Sequence, residues 1–272
     1  MEITFAVVQF EVAQFQPEVN LEKAERFIQQ AVNAGAQIIV FPEDFVTGPV
    51  VGRFEYVDRE GRYRRHFQDL ASRCRIDIVP GSIIEGDEQG LFNTTYYIDR
   101  AGAIRGRYRK VNLWLPERSY IAAGAEFPVF ETAYGRVGLQ ICWDLNFPEG
   151  FRQMARQGVE IVICPSYWCF EDAGVGLRHN PQSEVEMVNA LCVARAFENE
   201  IVLVYANAAG EVQWEHGRER LIGQSQITVP FKGRLNALAH THEGMFLQRV
   251  DTALLHDAEL AYEIRKDLRE RL

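Results

Sequence analysis

With 272 residues, 47% of them hydrophobic and 25% charged, the chain has the composition of a globular protein long enough to bury a sizeable core. A formal net charge of −9 argues against nucleic acid as a partner, and no apolar run approaches the ~18 residues of a membrane span. Five cysteines, an odd number, suit a reducing compartment better than a disulfide framework, so one cytoplasmic domain over 1–272 is expected.

The opening MEITFAVVQF has an acidic second residue and no small-residue cleavage site; it reads as a strand over 3–10, not a signal peptide. Leu21, Ala24, Ile28, Ala31 and Val32 then recur at helical spacing, with Asn20 expected as N-cap and Gly35 as the stop. QIIVF (37–41) is a continuous apolar strand of the kind buried on both faces. Residues 62–75 read as a helix, 76–85 and 93–99 as strands, and 102–110 as a run of alternating character. VFETAYGRVGLQIC holds two strand runs joined by a turn around Tyr134-Gly135. A helix over 149–158, the strand VEIVICP, a long helix over 183–200 and a strand over 201–207 follow. Three short strand-like runs (QSQITV, RLNALA, MFLQRV) and a helical tail from about Asp251 to Leu272 complete the chain. The class is α/β, though not a pure parallel alternation, because several strands succeed one another without helices.

Three of these strands end on chemistry. QIIVF runs into Pro42-Glu43, the run 102–110 ends on Lys110, and RVGLQI ends on Cys142. In open α/β sheets the functional crevice lies outside the carboxyl ends of the strands. A carboxylate there can take a proton from a thiol, and an ammonium can stabilise negative charge on sulfur or on a developing oxyanion. A helix opening near Asn146-Phe147-Pro148 adds backbone N–H groups close to the sulfur. Each residue also has an ordinary reading: a packed cysteine, a lysine on a solvated edge, a carboxylate at a helix entry. The spacing and the flanking sequence, taken together, favour the functional one.

The segments VVQF, FPED around Glu43, YRKVNL around Lys110, CWDLNFPE around Cys142, ARAFEN at 194–199 and GQSQITVPFKG at 223–233 stand in the order of the carbon–nitrogen hydrolase (nitrilase) superfamily, which the chain resembles over almost its whole length. The resemblance implies a four-layer α-β-β-α sandwich, a cofactor-free and metal-free Glu–Lys–Cys site, and protomers that pair through helices as a homodimer or higher homo-oligomer. It implies Glu43 as general base, Lys110 as oxyanion stabiliser and Cys142 as nucleophile. Many members carry a further glutamate shortly after the lysine, in a segment ending in Gly; Glu117 before Gly124 fits that place and is expected to position Lys110 and the attacking water.

Other groupings are weaker. Cys164 and Cys169, with His179 beyond, brush the zinc spacing without completing four ligands. Arg195 and Glu198, one helical turn apart, read as a structural pair. The expected reaction is hydrolysis of an amide or N-carbamoyl amine through a cysteine thioester. The alternatives are a nitrilase, an amine acyltransferase, or a non-catalytic binding protein on the same fold. Nitrilases usually follow the nucleophile with Trp-Glu, whereas Trp143-Asp144 follows here, which favours an amidase or carbamoylase. Trp143, Tyr167, Trp168 and Asn146 are the expected substrate-binding residues, with Phe170, Glu171 and Asp172 beside them and Arg178 and His179 in the same loop. The omega-amidases resemble CYDLRFPE at the nucleophile, with an arginine where Asn146 stands, and that arginine can clamp a carboxylate. Its absence points to a small-molecule substrate with a neutral or amine-bearing far end, not an omega-amido acid.

Overall fold

The computed structural model describes residues 1–214 and 217–270. The chain opens with β1 (Glu2–Glu11), α1 (Pro17–Asn33), β2 (Ile38–Val40), α2 (Arg62–Cys74) and β3 (Asp77–Val79). Strands alone follow: β4 (Ser82–Asp87), β5 (Gly90–Ile98), β6 (Ile104–Arg109), β7 (Val129–Thr132) and β8 (Gly135–Leu139). Next come α3 (Pro148–Arg156), β9 (Ile161–Ser166), α4 (Ser183–Glu198) and β10 (Val202–Ala209). A hairpin of β11 (Glu211–Trp214) and β12 (Gly217–Arg220) precedes β13 (Gln226–Val229), β14 (Gly233–Ala237) and β15 (Gly244–Asp251). Two helices, α5 (Ala253–Tyr262) and α6 (Ile264–Glu270), close the described chain.

Two sheets face each other. In the first, β4, β5, β3, β2 and β1 run in that order, with β6 against β5 and β15 antiparallel to β1. In the second the order is β7, β8, β9, β10, β13, β14. The two join where the last residues of β1 pair with β10, Phe10 opposite Ala208 and Glu11 opposite Ala209. The period of two along each strand sorts side chains between layers. Ile3, Phe5 and Val7 of β1 and Ile38 and Val40 of β2 enter the core shared with the second sheet. Ala6, Val8, Phe10 and Ile39 pack instead under α1 and α2, against Leu21, Ile28, Phe67 and Leu70. Phe151 and Met154 of α3 and Val188 and Cys192 of α4 cover the second sheet. The result is the expected α-β-β-α layering. Each large apolar side chain so buried contributes about 1.5–3 kcal/mol relative to exposure, so the loops leaving these strands stand on the most stable part of the molecule. Among the described residues, no helix is long and apolar enough to cross a membrane.

The structure departs from the sequence reading in places. α1 begins at Pro17, whose fixed φ suits a first helical position. Asn20 is therefore not the cap: it lies buried in the first turn, where its side chain bonds the backbone of Ala13 and Val46. Residues 76–85 form two strands, interrupted at Pro80-Gly81. Gly81 has φ +61°, and a Cβ there would meet the Pro42 carbonyl oxygen at 1.8 Å, so only glycine lets this turn approach the segment that presents Glu43. The helical tail is broken at Glu263, which adopts a left-handed conformation at φ 50°; the helix expected at residues 271 and 272 lies outside the described residues. The β11–β12 hairpin was not foreseen. Among the described residues it pairs only with itself, apart from one bridge between Cys169 and Leu221 just beyond β12.

Candidate active site

β1, β2, β3, β8, β9 and β10 run parallel, and β6, two antiparallel steps from β3, runs the same way. Their carboxyl ends therefore open on one edge of the sandwich. Glu43 follows β2, Lys110 follows β6, Cys142 follows β8 and Tyr167 follows β9. The four come together there, with Glu117 from a short 3-10 turn, Glu117–Ser119, behind Pro116.

Lys110 Nζ is 2.8 Å from Glu43 Oε1 and 2.8 Å from Glu117 Oε2, and the lysine is only 1% exposed. Its backbone is pinned on both sides: its N–H donates to Asn93 O at 2.9 Å, and Gly124 N–H donates to its carbonyl at 2.8 Å. Gly124 is required by this approach, since a Cβ there would meet Arg109 O at 2.2 Å. Glu43 Oε1 also accepts from Asn93 Nδ2 at 2.8 Å, and Oε2 accepts from the Tyr167 N–H at 2.9 Å. Glu117 accepts from Asn93 Nδ2 at 3.0 Å and from the Trp114 N–H at 2.7 Å.

Cys142 has φ +47°, in the left-handed region that non-glycine residues rarely occupy. Such strain, of order 1–3 kcal/mol, is characteristic of functional turns. A 3-10 helix, Cys142–Asn146, starts at the thiol and leads through Phe147 into α3. The Trp143 N–H lies in its first turn, where no carbonyl of the helix can take it. Asp144 holds this turn to the lysine segment. Its Oδ1 accepts from the Asn112 N–H and side chain, both at 2.9 Å; its Oδ2 accepts from Tyr108 at 2.8 Å and from the Ile141 N–H at 2.9 Å. The residues flanking Lys110 are thus tied to the residue two beyond Cys142. From the other side Arg195 donates to the carbonyls of Leu145 and Asn146 at 3.1 and 3.2 Å and to Glu198 at 2.7 Å. The Arg195–Glu198 pair is present as expected, and Arg195 also binds the turn that follows Cys142.

Burial sets the ionisation. It pushes the Cys142 thiol well above its ordinary range, and the facing Glu43 carboxylate adds to this while Lys110 opposes it. Glu43 is likewise raised, by burial first, against the lowering influence of Lys110. Burial also disfavours the Lys110 charge, but Glu117 and Glu43 outweigh it and hold the ammonium well above its usual value. Asp44, buried beside Glu43, is driven well above its ordinary value by burial and then by Glu43 and Glu117.

A cavity of about 570 Å³ opens over the thiol. Trp143, Tyr167 and Trp168 line it, with Trp114 packed edge-on against Trp143 at 4.3 Å between ring centroids. Trp168 is 1% exposed and its indole N–H is bound to Glu184 at 2.6 Å, so it braces the wall. Asn146 does not line the cavity; the helical turn carries it away from the thiol, beside Arg195. Phe170, Glu171, Arg178 and His179 are also off the lining; Glu171 pairs with Arg220 at 2.9 Å. Cys164 is fully buried in the core, while Cys169 borders the cavity. Sequence reasoning missed Asn93, Asp44 and the hairpin residues Trp214 and Glu219, which also line the cavity. Asn93 left a signal, an amide among the β-branched and aromatic residues of the strand NTTYYI; the hairpin left none.

A buried carboxylate, ammonium and thiol at parallel strand ends, under an open pocket, are the features of a hydrolase site. The chain belongs to the carbon–nitrogen hydrolase family, whose model matches residues 4–258, and it is an enzyme acting on carbon–nitrogen bonds other than peptide bonds. It is 30% identical over 259 residues to a probable nitrilase of Schizosaccharomyces pombe, covering 92% of this chain and 89% of that protein. It is 28% identical to the 2-oxoglutaramate amidase of Bacillus subtilis, covering 98% of this chain and all of the relative. Among solved structures it is similar to an amidase from Nesterenkonia sp. AN1, at 26% identity and a TM-score of 0.79 over 96% of each chain. That structure is of a glutamate-to-glutamine mutant and records covalent addition of the acetamide moiety of fluoroacetamide at its active-site cysteine.

Proposed function

We propose that the protein hydrolyses a small amide or N-carbamoyl amine through a thioester on Cys142. The observation that carries this reading is the Glu43–Lys110–Glu117 cluster facing a strained, buried thiol. The acyl addition at the cysteine of the Nesterenkonia amidase supports it. Because the resting thiol is protonated, attack needs a base, and Glu43 is the carboxyl group whose charge acts most strongly on the sulfur. Glu43 takes the thiol proton as Sγ bonds to the carbonyl carbon. Lys110 Nζ and the Trp143 N–H hold the oxyanion, each such donor contributing about 3 kcal/mol. As the C–N bond breaks, Glu43 returns the proton to the leaving nitrogen. A water, deprotonated by Glu43 and oriented by Glu117, then cleaves the thioester. One carboxyl group that gives and takes protons in turn works best with its affinity raised toward neutrality, the direction that burial supplies.

The cavity also bears on the substrate. Among the described residues five carboxyl groups line it (Glu43, Asp44, Glu117, Asp172, Glu219), against two cations, Lys110 and Arg53. Lys110 is engaged by two glutamates, and Arg53 sits at the rim bonded to Glu55 at 2.6 Å. Burial pushes Asp172 up to about 7, with Glu219 among the groups that add to it. Trp214 and Phe15, packed edge-on against each other, also line the cavity. Aromatic faces beside carboxyl groups suit a neutral or cationic group better than an anion. The test is catalytic efficiency on matched amides differing only at the far end (methyl, amino or carboxylate), with the corresponding nitriles as comparison. The methyl or amino amide should be best, with nitriles slower. A carboxylate-ended amide favoured tenfold or more would overturn the substrate assignment and give Arg53 the task of reading that end.

A further inference from the structure

Asn93 is fully buried on β5 and touches all three charged residues of the cluster. Its backbone carbonyl accepts the Lys110 N–H at 2.9 Å. Its Nδ2 donates to Glu43 Oε1 at 2.8 Å and to Glu117 Oε1 at 3.0 Å, one hydrogen to each. Its Oδ1 is buried with no hydrogen-bond partner. The orientation is fixed by charge, because the flipped amide would set an oxygen against two carboxylates. A buried polar atom left without a partner is unfavourable, and an aliphatic side chain would fill a strand interior without it. The residue is at this position for its donor end.

We infer that Asn93 is a positioning residue of the catalytic centre, whose amide fixes Glu43 and Glu117 as a pair and keeps Glu43 aimed at the Cys142 thiol. The inference rests on the reading of Glu43 as the base. Two buried carboxylates share one ammonium here, each at 2.8 Å. The ammonium neutralises only one of them, and a rotatable Nζ on a long stem does not by itself choose their rotamers. The planar amide does both remaining jobs. It spreads the excess negative charge through two charge-assisted hydrogen bonds. It also clamps Glu43 Oε1 between Nδ2 and Nζ, which leaves Oε2, steadied by the Tyr167 N–H, for the sulfur. Removing the amide strengthens the repulsion between Glu43 and Glu117, so Glu43 keeps its proton to higher pH.

The experiment is the pH profile of kcat/KM for Asn93→Leu, a near-isosteric change, beside the wild type, Asn93→Leu/Glu117→Gln and Glu43→Gln. In Asn93→Leu the acid limb should move up by about one pH unit. At pH 7 kcat should fall about tenfold or more while KM stays within about threefold, since the loss is of alignment in the transition state. In the double variant the acid limb should return toward the wild-type position, because the repelling charge is gone. A residue that merely packs would leave the limb in place; a folded Asn93→Leu protein with a wild-type limb and kcat within about twofold overturns the inference. Should Asn93→Leu not fold, Asn93→Asp keeps the shape and should shift the limb in the same direction; an unshifted limb there overturns it equally. Full activity in Glu43→Gln would instead remove the base assignment, whatever Asn93 does.

Discussion

Cys142→Ala and Cys142→Ser are expected to lose essentially all hydrolysis while remaining folded. The alanine change deletes one sulfur from a residue that is 7% exposed and faces the cavity, so little packing is lost. It also leaves Glu43, Lys110 and Glu117 with all their mutual hydrogen bonds. Serine keeps the shape, but under the proposed mechanism the same carboxylate would have to deprotonate an alcohol, a far weaker acid. Wild-type melting temperature with turnover at least a thousandfold down is the expected pair of observations. Unchanged turnover in a folded alanine variant would remove the nucleophile.

Lys110→Met should damage both activity and stability. Loss of an oxyanion donor of this kind costs about a hundredfold or more in kcat. The charge balance then compounds the loss, because the ammonium is the cation bonded to both glutamates. Breaking a buried ion pair by deleting one partner costs about 3–5 kcal/mol, a melting-temperature drop on the order of 10 °C for a chain of this size. The pH dependence has a definite sign. Glu43 is raised above its ordinary value of 4.5 in the folded protein, and removing Lys110 raises it further. A carboxyl whose folded value lies above its unfolded one carries no penalty below the unfolded value; the penalty grows as pH rises through the folded one. The gap in melting temperature between variant and wild type should therefore narrow as pH falls from 7 toward 4.5. A gap that is constant or widens on acidification would show that the lysine does not balance buried carboxylates.

Much of this site was legible in the sequence because its principal residues end strands. An apolar run that stops at a charged or nucleophilic residue is a local pattern, and parallel strands bring such stops to one edge. FPE, YRK and CWD gave three stops, and the resemblance set their roles. What escaped was non-local. Asn93 lies inside a strand, and its partners are 50 and 24 positions away along the chain. The Tyr167 peptide serves through its backbone, which no side-chain pattern reveals. Asn146 stands where the omega-amidases carry their arginine, which points to the pocket, yet the 3-10 turn carries it off the lining. Asn20 has the composition of a cap, yet Pro17 starts the helix and leaves the asparagine to pin two loops. The hairpin that borders the cavity buries Val212 and packs Trp214 against the core, but its strands EVQW and GRER hold no other apolar side chain, too few for a period-two pattern to show.

The measurement that bears most directly on the thioester is peptide mass spectrometry of a rapidly acid-quenched reaction with a turned-over amide. The account predicts an acyl mass increment on the peptide containing Cys142, released by hydroxylamine and absent from Cys142→Ala. An increment on any other residue, or full turnover by Cys142→Ala, would contradict it.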